Sequence, residues 1–236
     1  EAVRDGLNEG MATCAAQGTP VVVRQIVTAL RQEDRSLETA ELAVAHRDDL
    51  VGGFDIAGPE DGFPARGHLA AYTYLRRHNL PFTVHAGEAA GPESIWEAVQ
   101  LLGSGRIGHG VRIVEDLVDG EVVPGSLAAF LRDRHIAFEV CPTSNLQTGI
   151  CPTYREHPFG LLDRLGFTLT VSCDNRLMSR TSLSEELAHL SEAFGYGRAD
   201  LARFANNALD AAFLSEPERR RLQREVIDPA YAAQLT

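Results

Sequence analysis

No run in these 236 residues approaches the roughly 18 consecutive apolar residues that a membrane-spanning helix needs. Basic residues are outnumbered, 22 against 33 acidic, for a formal net charge of −11. That balance excludes the counterion-displacing surface of a nucleic-acid binder. The four cysteines (Cys14, Cys141, Cys151, Cys173) form no C-x-x-C pair and no dense framework, so they read as reduced thiols of a cytoplasmic protein. H-E-x-x-H is absent, which removes the common zinc protease pattern, and no G-x-G-x-x-G follows the first strand. The chain opens without methionine, with Glu1 to Leu7 already inside an amphipathic pattern, so the lack of a leader carries no message about targeting. What remains, 44% hydrophobic and 23% charged residues, is the mixture of a folded globular chain.

Periodicity divides the chain into alternating strands and helices. Val3, Leu7, Met11 and Cys14 predict a helix over 1–17, and the β-branched run Val21 to Val27 predicts a strand. Ser36 offers a cap for a helix to about His46. Further strands are expected at Val51–Gly58, Pro81–Val84, Arg106–Gly110, Ala137–Pro142 and Phe167–Asp174. Helices are expected at His68–His78, from Pro92, at Leu127–Arg134 and at Phe159–Leu165, with three more after Ser182. Ser215 and Glu218 have the spacing of a capping box. Strand starts recur at about 30 residues, the size of a βα unit, which implies a parallel sheet with helical crossovers. A doubly wound sheet and a closed barrel both fit that alternation. The missing nucleotide loop weighs against the first. A barrel of eight units takes about 250 residues, so six units plus a helical tail read as a (β/α)8 barrel without its first two strands. The whole of 1–236 is expected to be one domain.

The polar chemistry gathers where strands end: Asp55-Ile56-Ala57-Gly58, His85-Ala86-Gly87-Glu88, Gly108-His109-Gly110, Cys141 to Asn145 and Ser172-Cys173-Asp174-Asn175. In a barrel these would converge on one rim, the place where catalysis is assembled. Histidine nitrogen and aspartate oxygen suit zinc. The glycines beside His109 let the backbone approach a ligand closely. Plainer readings stand beside these: Gly58 as a turn glycine, and Asp174 or Asn175 as a helix cap. Cys141 and Cys173 read as small core residues. His46, His68, His78, His135, His157 and His189 read as surface residues, and the pairs Glu33-Asp34, Asp48-Asp49 and Glu115-Asp116 as solvated faces.

Together the Thr83–Glu88, Gly108–Gly110, Glu139–Asn145 and Ser172–Asn175 segments resemble the metal-dependent adenosine deaminases of the amidohydrolase superfamily. The resemblance runs over nearly the whole chain, and Arg176-Leu177-Met178-Ser179 looks most like its actinobacterial branch. It implies a zinc-dependent hydrolase that converts adenosine, and 2′-deoxyadenosine, to inosine and ammonia. His85 and Asp174 match zinc ligands, and Glu88 the acid that protonates purine N1. His109 matches the residue that orients the attacking water and helps deprotonate it. Gly58 matches a backbone contact to purine N3. The implied partner is a small purine nucleoside, with no nucleic acid and no membrane. Adenine or another amino-purine is the alternative substrate. The nucleotide deaminases with the H-x-E…P-C-x-x-C signature are a different class, and that signature is absent.

Two positions depart from the family. Asn175 stands where an aspartate normally contacts purine N7, and its amide still donates to that acceptor. No His-x-His occurs anywhere, although the family's first strand supplies two zinc ligands in that form. One Zn2+ per chain would therefore take two further histidines from an amino-terminal region outside these residues. The alternative is a natural truncation that binds purines without turning them over.

Overall fold

The computed structural model describes residues 1–232. Its first helix, α1 (Ala2–Ala16), has the expected span, but none of its residues is buried and Val3 is 64% exposed. The helix is tethered by Arg4, whose guanidinium reaches Asp49 at 2.7 Å. β1 (Gln25–Leu30) begins at Gln25 instead of Val21, because its first partner is the Leu50 carbonyl, which accepts from the Gln25 N–H at 2.7 Å. Val21 and Val22, left without a ladder, are exposed. In α2 (Ser36–Ala45) the expected cap is not made: Arg35 holds the capping position, and Ser36 is the first helical residue, buried.

β2 (Val51–Ala57) leads through a 3-10 turn at Ala65–His68 into α3 (Leu69–Arg77). β3 (Val84–Ala86) precedes α4 (Pro92–Trp96), which starts at Pro92, where a missing N–H costs nothing. There follow β4 (Arg106–His109), α5 (Leu127–Asp133), β5 (Ala137–Val140), α6 (Pro142–Gln147) and α7 (Phe159–Arg164). β6 (Leu169–Val171) is shorter than predicted, and α8 (Arg176–Ser179) sits just beyond it. The tail is helical: α9 (Leu183–Phe194), α10 (Arg198–Ala211), α11 (Glu216–Leu222) and α12 (Asp228–Ala232), with the Ser215–Glu218 capping box formed.

All strand pairings are parallel, and each strand lies beside its neighbours in sequence. β2 and β3 are joined through Phe54, whose N–H donates to Pro81 O at 3.1 Å and whose carbonyl accepts from Thr83 N–H at 3.0 Å. The six strands thus follow one another in chain order, without the order reversal that marks a doubly wound sheet. One cavity is lined from β1 to β5 and from Ser172–Asp174 just beyond β6, so the arc curls around it as part of a (β/α)8-type barrel. Among the described residues no strand pairs with the outer edge of β1 or of β6.

Side-chain alternation sorts the strands into an apolar outside and a polar inside. Phe54 meets Tyr72 of α3 edge-on at 5.5 Å, and Tyr72 meets Phe82 at 4.9 Å while its hydroxyl donates to Thr83 O. Phe159, Phe194, Tyr196 and Phe204 form a second cluster that seats α9 and α10 on the sheet. Phe54, Tyr72, Phe159 and Phe204, the rings fully buried, contribute roughly 1.5–3 kcal/mol each. No described helix is long and apolar enough to cross a membrane.

Candidate active site

Lone acids inside apolar strands build the floor of the site. Asp55 stands between Phe54 and Ile56, and Glu139 between Phe138 and Val140, so alternation turns both carboxylates inward. The register sets His85 beside Gly108, Gly108 beside Glu139, and Glu139 beside Thr170. The cavity, open on one side, measures about 290 Å3, and Thr28, Asp55, His85, His109, Glu139 and Asp174 are among its lining residues. The glycine at 108 has a local reason: a side chain there would meet the His85 backbone and ring at about 3.1 Å. The close approach expected around His109 is therefore made to the neighbouring strand.

His85 Nδ1 lies 2.7 Å from Asp55 Oδ2 but outside hydrogen-bonding geometry, leaving a buried nitrogen without a bonded partner. Burial pulls the ring down, yet Asp55, followed by Glu139 and Asp174, outweighs it and pushes His85 up to about 9. Glu139 also accepts from Thr83 Oγ1 at 2.6 Å and lies 3.0 Å from Arg106 Nε. The Arg106 guanidinium spreads over the Phe213 ring, 3.6 Å from its centroid, which pins the end of α10 beneath the barrel.

Glu88 is held by its backbone and by its side chain. The buried carboxylate of Glu60 accepts the N–H groups of Gly87, Glu88, Ala89 and Ala90 at 2.6–3.0 Å, together with the Ser94 hydroxyl. Arg31, also buried, donates to the carbonyls of His85 and Phe63. At the tip, Asn145 Nδ2 and Thr148 Oγ1 each donate to Glu88 Oε1 at 3.1 Å. Glu88 Oε2 lies 3.6 Å from His109 Nε2.

His109 ends β4 in the left-handed region, φ 63°, a conformation that histidine adopts more readily than most side chains. It is almost wholly buried and stands edge-on to His85, ring centroids 5.2 Å apart. Burial and the neighbouring His85 press its pKa below the ordinary value against the pull of Glu88. Behind it lie Asn145 of α6 and His157, both buried. His157 was expected on the surface, as was His68; burial of both corrects that reading, His68 facing Arg31 O at 3.2 Å. Burial, reinforced by His109, lowers His157 to about 4. Unfolded, the ring titrates near 6.5. The folded state refuses a proton that the unfolded state takes, so stability is full above about pH 6.5 and falls as pH drops toward about 4, by on the order of 3 kcal/mol. Urea titrations at pH 7 and pH 4.5 should show this slope, reduced in His157→Gln; equal slopes would refute it.

The predicted residues separate into two groups. His85, His109 and Asp174 border the one cavity, with Glu88 against His109. Asp174 accepts from Ser144 Oγ at 2.7 Å. Gly58, Asn175 and Glu88 are not among the lining residues, Glu88 adjoining the cavity through His109. Gly58 has φ 105° in an exposed turn where a Cβ would strike Gln32 at 2.6 Å, so the turn alone accounts for the glycine. Asn175 caps α8, accepting from Met178 N at 3.2 Å. Sequence reasoning named Asp55, Glu139 and Asn145 within its motifs but gave them no role, read His157 as a surface residue, and gave no role to Glu60 or Thr148. A single acid within an apolar strand was a usable signal for Asp55 and Glu139. Cys141 is buried as expected, and burial raises its thiol well above the ordinary value, which removes it as a nucleophile.

Among the described residues no group of three or more His, Cys, Asp or Glu can hold a metal ion. His85 and Asp174 fit a cation as part of a shell: one nitrogen and one carboxylate oxygen donor, at a cavity whose carboxylates favour positive charge. Two donors fall short of the three that catalytic zinc takes from protein.

The model of the family described as adenosine deaminase matches residues 1–229. The chain belongs to the adenosine deaminase family. It is 51% identical over 235 residues to adenosine deaminase 1 of Streptomyces coelicolor, covering 98% of this chain and 59% of that protein. To the adenosine deaminase of Mycolicibacterium gilvum it is 53% identical, covering 98% of this chain and 65% of that one. The chain thus spans about three fifths of the length of the curated relatives it matches. Among solved structures, an amidohydrolase from Burkholderia ambifaria with bound Zn superposes with a TM-score of 0.81 at 27% identity, covering 94% of this chain and 60% of that one. Family membership agrees with the strand-end motifs, and the partial-barrel fold with the superposition.

Proposed function

We propose that this chain serves the hydrolytic deamination of adenosine, and of 2′-deoxyadenosine, to inosine and ammonia in the cytoplasm, as a single amidohydrolase-type barrel domain. The observation that carries the reading is the meeting of Glu88 and His109 on neighbouring strand ends, at the cavity that His85 and Asp174 border. The names of the curated relatives and the bound Zn of the Burkholderia structure support it.

One zinc per chain would be held by His85 and Asp174 together with two further histidine donors. When bound, it would polarise the attacking water. The chain's own groups account for the rest. His109 orients the water, whose oxygen bonds to C6 while Glu88 delivers a proton to N1; the proton that the water loses passes to a carboxylate bordering the cavity and on to Glu88, restoring the acid. The C6–amine bond then breaks, and the hydroxyl proton leaves with the amine as ammonia. Anchoring of Glu88 Oε1 by Asn145 and Thr148 leaves Oε2 to face the substrate. Gly58 N–H is assigned to purine N3 and the Asn175 amide to N7.

The zinc-loaded protein is expected to release one ammonia per adenosine consumed and to lose turnover on chelation. Turnover that survives complete removal of zinc would overturn the metal assignment. Adenine deaminated faster than adenosine would overturn the substrate.

A further inference from the structure

His157 does not line the cavity, yet its hydrogen bonds dictate where the proton of His109 sits. The backbone N–H of Phe159 donates to His157 Nδ1 at 2.9 Å, so that nitrogen carries a lone pair. A neutral ring then has its proton on Nε2. This N–H meets Asn145 Oδ1 at 3.2 Å, so the oxygen of the amide faces His157 and its NH2 points the other way. The same orientation serves Glu88 on the opposite side, whose Oε1 accepts whether the acid is ionised or carries its proton on Oε2, with Asn145 Nδ2 3.1 Å away. The same NH2 lies 3.1 Å from His109 Nδ1, which must therefore accept.

We infer that His157 is a positioning residue: through the buried Asn145 amide it holds neutral His109 in the tautomer protonated on Nε2. The depressed basicity of His157 keeps the relay in one neutral state near pH 7. The inference rests on the deaminase reading and deepens it. With its proton on Nε2, His109 meets the attacking water as a hydrogen-bond donor. Acceptance of a proton at that nitrogen, which the family resemblance implied, is closed to this tautomer. Orientation of a catalytic histidine through a buried partner is a known determinant of rate.

The test is long-range 1H–15N correlation on the chain labelled with 15N-histidine, with His109 assigned from the spectrum of His109→Gln. Wild type should show Nε2 protonated and Nδ1 bare in both His109 and His157. His157→Phe removes the donor to Asn145 Oδ1 and should bring His109 to a tautomer mixture. His157→Gln, whose amide can donate to the same oxygen, should restore the Nε2–H form. Protonation of either ring at Nδ1 in wild type would overturn the inference, as would an unchanged His109 signal in folded His157→Phe. Should the Phe variant not fold, the wild-type spectrum still decides. The spectra read the relay whether or not adenosine is turned over, so failure of the deaminase reading and failure of the relay are separable. Where turnover is seen, His157→Phe should lower kcat by about 10–100-fold with KM little changed.

Discussion

Glu88→Gln in the zinc-loaded protein is expected, on the proposed deaminase reading, to lower kcat for adenosine by about 10²–10⁴-fold, the usual contribution of a positioned general acid. The substitution keeps the length and shape of the side chain. A glutamine Oε1 can still accept from Asn145 Nδ2 and Thr148 Oγ1, the two donors that hold Glu88 now at 3.1 Å. The oxygen beside His109 becomes an amide NH2, which cannot exchange a proton with purine N1. Binding should therefore survive, with KM changed by less than about threefold, since only an interaction of the transition state is removed. Melting temperature should move little. Steady-state absorbance assays of wild type and variant decide the matter, and equal kcat values would remove Glu88 from the acid role.

The second large effect concerns folding. Glu60→Ala is expected to cost about 3–5 kcal/mol, because four backbone N–H groups and the Ser94 hydroxyl lose their buried acceptor within a partly buried loop. That is a large share of the roughly 5–15 kcal/mol by which domains are stable. Burial alone would raise the Glu60 carboxyl, but the N–H of Ala90, the Ser94 hydroxyl, the N–H of Gly87 and the Arg31 charge outweigh it and hold it below the ordinary value. A depressed carboxyl contributes fully above its unfolded pKa of about 4.3 and loses its contribution as pH falls through the lower folded value. The gap between wild type and Glu60→Ala should thus be widest at neutral pH and narrow in acid. Urea denaturation across that range measures it; a gap below about 1 kcal/mol at pH 7 would show that the loop finds other acceptors.

Both predictions rest on contacts that local reading could not supply. His85, Glu88, His109 and Asp174 were visible because each ends or follows an apolar strand, and strand alternation is encoded residue by residue. The βα rhythm and the family resemblance were visible on the same ground. The start of β1 was misplaced because β-branched residues favour a strand only where a partner strand exists, and Val21 has none. The capping role given to Ser36 failed for a similar reason, since burial against neighbouring elements placed it one residue inside the helix. His157 looked like a surface loop residue because nothing in its neighbours records that α6 and β4 close over it.

The sequence by itself determined which chemical groups stand at the strand ends and in what order, because those depend on patterns a few residues long. Only the tertiary structure decided how they are held. The Glu60 carboxylate reaches across about thirty residues to the Gly87–Ala90 amides, and the His157–Asn145–His109 chain joins three separate segments. Such contacts are long-range, and their strength comes from burial that exists only once the barrel wall has curled around them. The Glu88 stretch supplies a carboxyl group; the packed fold supplies its aim.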